Sequence, residues 1–321
     1  MRRTRSIVAA LAAACATGLA AAQEFPSRPA HIIVPYTPGT GADLLARLLG
    51  ARIGEVWKSA VVVENRAGAT GNIGAEAVAK SAPDGYTLLF TATSFAANPA
   101  LNRALPFDPV KSFAPVALVA TSALAVVVYP QLPARSMTEF VELARRQPGK
   151  LHYSSPGSGG VQHLAMELLK LEAGVDIVHV PYKGLAGALS DLVGGHVDAS
   201  VSALQSAAPH VQSGKLRMLA VMSGARSSAF PEVPTLAEQG FPGLEVETWY
   251  AAFAPAGTPA PVIAKWNAEL NRALADPAIR TALEKQGMAA AGGDPQRLAD
   301  LLARELARWA RVVAAAGIKA D

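Results

Sequence analysis

Several short stretches of this 321-residue chain carry residues suited to holding an anion without a catalytic set. The first is Pro35-Tyr36-Thr37-Pro38-Gly39-Thr40-Gly41-Ala42-Asp43, directly after the apolar run Ile32-Ile33-Val34. Gly39 and Gly41 let the backbone approach a ligand closely. Thr37 and Thr40 offer hydroxyls, Tyr36 and Pro38 shape the turn, and Asp43 is placed to cap the helix that follows. A plain strand-to-helix turn with an Asp cap would read similarly, but Gly39-Thr40-Gly41 is more than such a turn needs. Amides at a helix start, aided by the helix dipole, favour an anion.

Four further segments repeat the plan. Residues 65–74 hold Arg66, which could grip a carboxylate bidentately or serve as a surface ion-pair partner; both readings stand. Thr91 and Ser94 follow the run Leu88-Leu89-Phe90 and offer hydroxyls to a ligand oxygen, or an ordinary capped connection. Ser155 and Ser158 lie in Ser154-Ser155-Pro156-Gly157-Ser158-Gly159-Gly160, with His163 one turn into the next helix, facing the cleft or packed structurally. Tyr182 and Lys183 end another strand, as a pocket wall and a cation, or as a solvated ammonium. Asp198 opens a strand and fixes the cleft, selects an ammonium ligand, or simply closes a turn.

The competing chemistries are weakly supported. The glycines at 68, 71 and 74 have the wrong spacing for a dinucleotide fingerprint, and no Gly-Lys-[Ser/Thr] marks a phosphate loop. Gly-x-Ser-x-Gly is absent at both Ser155 and Ser158. The six histidines show no zinc spacing. No metal and no cofactor is expected. A secreted hydrolase using Ser155 or Ser158 with His163 is the rival reading, and a ligand-binding sensory module is a third.

Residues 1–22 read as a secretory signal peptide: Arg2, Arg3 and Arg5, an apolar stretch, then small residues at 20–22. Its apolar run is too short for a typical membrane span. Arg2-Arg3 is only a faint twin-arginine signal. Cys15 lacks the large aliphatic three residues earlier that lipidation favours. Removing the leader takes Lys+Arg from 29 to 26 against 25 acidic residues, so the net charge falls from +4 to about +1. No polyanion partner is implied, and aromatics at 6% argue against a stacking platform for nucleic acid. The sole cysteine leaves too, so packing alone must hold the fold.

The elements that must position these loops alternate. Near-continuous Val/Ile/Leu runs predict strands at 32–35, 61–64, 87–91, 116–120, 124–129, 151–154, 177–180, 197–202 and 216–222. Amphipathic spacing predicts helices at 42–57, 74–81, 137–147, 161–173, 185–193, 261–275, 278–286 and 295–315. Ser136 with Glu139 forms a capping box. Residues 231–259, rich in Pro and Gly, read as an irregular crossing. The pattern is α/β with largely parallel sheets. A helix start gives an anion roughly 0.3–1 kcal/mol, whereas micromolar binding needs about 8 kcal/mol. Several loops must therefore close together, and two hinged lobes do this most simply.

In this order the loops resemble the Bug receptors, the substrate-binding proteins of tripartite tricarboxylate transporters. The matching residues are 34–43, 63–74 and Ala82-Pro83-Asp84-Gly85-Tyr86-Thr87-Leu88-Leu89, with Val180-Pro181-Tyr182-Lys183-Gly184 and Ala254-Pro255-Ala256-Gly257-Thr258-Pro259. The resemblance implies a type II periplasmic binding protein-like fold, two α/β domains with a ligand cleft between them and no catalysis. The expected division is 23–124 plus 250–321 against 125–249. It implies a carboxylate held between residues 36–41 and 155–158, with 91–94 at the side. Thr40 departs from the second glycine common in the family, which narrows the pocket. A periplasmic monomer is expected, with a small carboxylate ligand and a membrane transporter or sensor as partner.

Overall fold

Ala30–Val34 (β1) is apolar and buried, and pairs in parallel with Val61–Asn65 (β2) and Thr87–Ala92 (β3). The computed structural model describes residues 25–101, 105–182 and 184–318. The leader of residues 1–22, Cys15 and Lys183 lie outside them. Strand-to-strand connections run through Gly41–Trp57 (α1) and Asn72–Ala79 (α2). Ser94–Leu101 (α3) follows β3.

One long strand joins this sheet to a second one. Phe113–Val128 (β4) pairs antiparallel with Glu247–Pro255 (β9) along residues 113–123. It then pairs with Ala199–Ala203 (β7) and Arg217–Val221 (β8) from residue 124 on. His152–Ser155 (β5) and Val178–Pro181 (β6) complete the second sheet, in parallel with β7. The strand order is β2-β1-β3-β9-β4-β7-β5-β6, and Ala289–Ala290 (β10) adds to β4.

The remaining helices are Met137–Arg146 (α4), Val161–Ala173 (α5), Leu185–Val193 (α6), Leu204–Gln212 (α7), Ala260–Ala275 (α8), Pro277–Lys285 (α9) and Pro295–Ala316 (α10). Ser136 caps α4 as its spacing predicts, while Glu139 reaches back to the Arg135 N–H, one residue before the cap. Among the described residues no helix is long and apolar enough to cross a membrane.

Three differences from the sequence-based pattern have clear causes. The breaker-rich 231–259 stretch contains β9, a central strand, because Trp249 to Ala254 are all buried between neighbours. Helices α3 and α7 each contain a proline, Pro99 and Pro209, in a segment too short to show a periodicity. The predicted break between 120 and 124 is instead one continuous strand, paired at every residue there, with register shifts before it and after it.

The core has three parts. One apolar cluster runs along a whole face of the joined sheet: Leu89 and Phe253 on one side, Tyr153 and Leu164 on the other, with α10 laid across both. The opposite face is divided. Leu45, Trp266 and Tyr250 belong to one cluster, and Leu192, Leu204 and Val221 to another. The two lobes thus share a spine and are separate on the other face. Arg311 on α10 pairs with Glu172 on α5 at 2.6 Å, also across the spine.

Trp309 anchors that spine. It is fully buried, and its Nε1–H donates to Glu305 at 2.9 Å. Burial pushes the Glu305 carboxyl up, against the pull of nearby Arg308. Trp309→Ala is expected to lower stability by about 3–5 kcal/mol in chemical denaturation. A loss under about 1 kcal/mol would show that the helix is a passenger.

Candidate functional site

The C-terminal edges of β1, β2, β5, β6 and β7 each lead towards a helix that has no side-chain cap, although at α2 the first N–H, that of Asn72, donates to the Ala69 carbonyl. The residues preceding α1, α2, α5, α6 and α7 are Thr40, Gly71, Gly160, Gly184 and Ala203, and none supplies a side-chain cap. Helices α4, α9 and α10, which begin elsewhere, are all capped, by Ser136, Asp276 and Asp294. Helix α8 is also uncapped, but Pro261 in its first turn removes a donor. Uncapped helix starts therefore collect at the C-terminal ends of the two sets of strands, which run in opposite directions and meet at residues 120–124 of β4. Orphan amides of this kind need water or a ligand.

In loop one, Asp43 is an organiser rather than a ligand group. Its Oδ2 accepts the Gly39 N–H at 2.9 Å, and its Oδ1 accepts Asn65 Nδ2–H at 2.9 Å and lies 3.0 Å from Arg47. Burial pushes its carboxyl up, but these donors outweigh that and hold it below the usual carboxylate range. Thr40 turns its hydroxyl back to the Thr37 carbonyl at 3.0 Å, so the α1 start stays open. The amides of Gly41 and Ala42 carry no hydrogen bond to any described residue. Thr37, Pro38 and Gly39 are exposed at the rim.

Loop three meets loop one at Tyr36. The Tyr36 hydroxyl lies 3.0 Å from Thr91 Oγ1 and 2.7 Å from Ser94 Oγ, and it accepts the Ala92 N–H at 3.2 Å. One phenol oxygen has one donor and two acceptor sites, so Tyr36 is saturated. Three residues expected at the site do come together, but as a clamp between two loops. Burial raises the Tyr36 hydroxyl above its ordinary value.

Loop four is built similarly. Ser155 is fully buried, and its Oγ lies 2.7 Å from His179 Nε2 while donating to the Gly157 carbonyl at 3.0 Å. His163 stacks on His179 with centroids 3.8 Å apart and accepts the Gly159 N–H at Nδ1, 2.9 Å away. Ser155 and His163 thus shape the loop and make no contact as a pair. Ser158 has no hydrogen bond to a described residue, and the amides of Val161 and Gln162 are open. Tyr182 donates to Asp191 at 2.6 Å, and burial raises its hydroxyl to about 12. Arg66 turns to Glu64 at 2.8 Å on the surface, which is the ion-pair reading. Asp198 sits at the opposite end of its strand, accepting the His152 N–H at 2.8 Å, and so braces β5 far from the cleft.

Two further contacts between the lobes are not legible in the sequence. A methyl group added to Gly159 would lie 2.7 Å from Leu101 Cδ1, so loop four is seated on the end of α3. Near the hinge, Ser122 Oγ lies within 3.1 Å of Gln205 Oε1 and within 3.0 Å of the Gly287 carbonyl. Tyr250 was also missed, because its strand was read as irregular.

A model of the family described as "Tripartite tricarboxylate transporter family receptor" matches residues 45–318. The chain belongs to this receptor family. Protein BugT of Bordetella pertussis is 37% identical over 300 residues, covering 93% of this receptor and 92% of BugT. A protein of R. palustris solved with adipate is 35% identical, with a TM-score of 0.79, covering 92% of this receptor and 99% of that chain. MatC from Rhodopseudomonas palustris with bound malate is 34% identical, with a TM-score of 0.76, covering 90% and 100%. The two-lobed α/β fold expected from the resemblance agrees with these receptors.

Two predictions follow the roles of Tyr36 and Asp43 in this receptor. Tyr36→Phe should reduce stability by about 1–3 kcal/mol, because Thr91, Ser94 and the Ala92 amide lose a common partner; an unchanged melting temperature would refute the clamp. For Asp43 the folded value lies below the unfolded one of about 3.9. Its stabilisation is therefore present above that value and is lost as pH falls through the folded one. An acid titration of stability should be shallower in Asp43→Asn than in the native protein.

Proposed function

We propose that this receptor binds a small carboxylate between its two lobes, divided as residues 23–124 plus 250–321 against 125–249, and releases it unchanged. The observation that carries this is the pairing of open helix starts: α1 on one lobe and α5 on the other, with no side-chain cap on either. The segments 35–43, 91–94 and 154–160 contain no Lys or Arg, so within them open amides, with Ser158 and Thr37, do the holding. The relatives solved with adipate and malate carry acids of this class.

A hydrolytic role has little support. Ser155 is buried and occupied by His179 and Gly157, and no hydrogen bond joins Ser158 to a described histidine. In this reading the protein is exported by its leader, works as a periplasmic monomer and hands its ligand to a tripartite tricarboxylate-type membrane transporter.

Thermal-shift and calorimetric titration with malate, succinate and adipate test the proposal, with glucose and free lysine as controls. An acid at a hundred times its Kd should stabilise the fold by about 2.7 kcal/mol, and the controls should do nothing. No stabilisation by any carboxylate would overturn the reading.

A further inference from the structure

The floor of the cleft holds a tyrosine that the loops do not account for. Tyr250 on β9 sits in register with Ala92 of β3 and Ala120 of β4. Its ring belongs to the core and the residue is only 9% exposed. Yet its hydroxyl makes no hydrogen bond to any described residue, and it is not among the side-chain groups sealed from solvent without a partner. A hydroxyl on a buried ring that remains open must reach the surface at one place.

That place is the start of α1. A methyl group on Gly41 would stand 2.5 Å from Tyr250 Oη and 2.8 Å from its Cζ. The missing side chain at Gly41 is therefore what lets the phenol reach the first turn, where the Gly41 and Ala42 amides are open. Met288 closes the other side, its Cε 2.8 Å from the same added methyl. Tyr36 is the instructive contrast: it lies near enough to influence Tyr250 electrostatically, but its own oxygen is saturated. Burial first, then Tyr36, raises the Tyr250 hydroxyl to about 12, so at neutral pH it is a donor.

We propose that Tyr250 is a ligand-binding residue whose Oη–H donates to the acid group seated on the Gly41 and Ala42 amides. This rests on the carboxylate reading above and deepens it. A phenol and two amides are all donors, so the seat favours an ionised carboxylate over an amide, whose NH2 end would face donors only. Gly41 and Tyr250 act as one unit: small at the helix start, large on the strand.

The test compares native protein with Tyr250→Phe, each titrated calorimetrically with malate and adipate and each melted without ligand. The variant should bind roughly ten- to a hundred-fold more weakly, as expected for losing a hydrogen bond to a charged group. Its ligand-free melting temperature should be unchanged or higher, because no protein partner loses a bond. Equal affinity in the two proteins would overturn the assignment while leaving the receptor reading intact. A ligand-free melting temperature that falls would also overturn it, since the hydroxyl would then be structural. Failure of the native protein to bind either acid, or succinate, would remove the receptor reading and the assignment with it.

Discussion

The antiparallel pairing of β4 with β9 is the constraint on which the cleft depends. β4 is 16 residues long and belongs to both sheets, giving up β9 for β7 and β8 at Leu124. Because β9 runs antiparallel to β3, its first residues lie beside the last residues of β3, at the edge where the open helix starts collect. Thr93 reinforces this, accepting the Trp249 N–H at 2.9 Å from 156 residues away. The crossing strands therefore place loop three and bring the floor of the cleft to the same level.

At that edge, backbone groups and side chains divide the work. Asp43, Tyr36, Ser155 and His179 turn their polar atoms on neighbouring loop atoms and fix shape. What stays open is chiefly main chain, together with Ser158, Thr37 and the Tyr250 hydroxyl. Since amides cannot swing away as lysine side chains do, an anion seat made of them is preorganised, at the cost of leaving donors unfilled until a ligand or water arrives.

Much of this is legible in the sequence because glycine and proline announce the loops that matter. Gly39, Gly157 and Gly159 have positive φ that other residues would strain to adopt, and at Gly41 a side chain would strike Tyr250. Hydrophobic runs locate β1, β3 and β7. Partnership is what spacing does not carry: that Tyr36 meets Ser94 rather than a ligand, that Ser155 meets His179 rather than His163, and that Asp198 faces away are set by long-range packing. β9 is hidden because its breakers lie just outside it, and with the strand unread Tyr250 has no face to be assigned to.

The undivided apolar cluster under α10 has a mechanical meaning. A book opens only on the side away from its binding, and the same holds for two lobes joined along one packed face. The side left free to part is the one where the clusters are divided and loop four rests on the end of α3, while the Ser122 contacts with Gln205 and Gly287 lie close to the binding. A shared back of this kind leaves the divided side as the face whose outline can change, and so as the face a second protein could read.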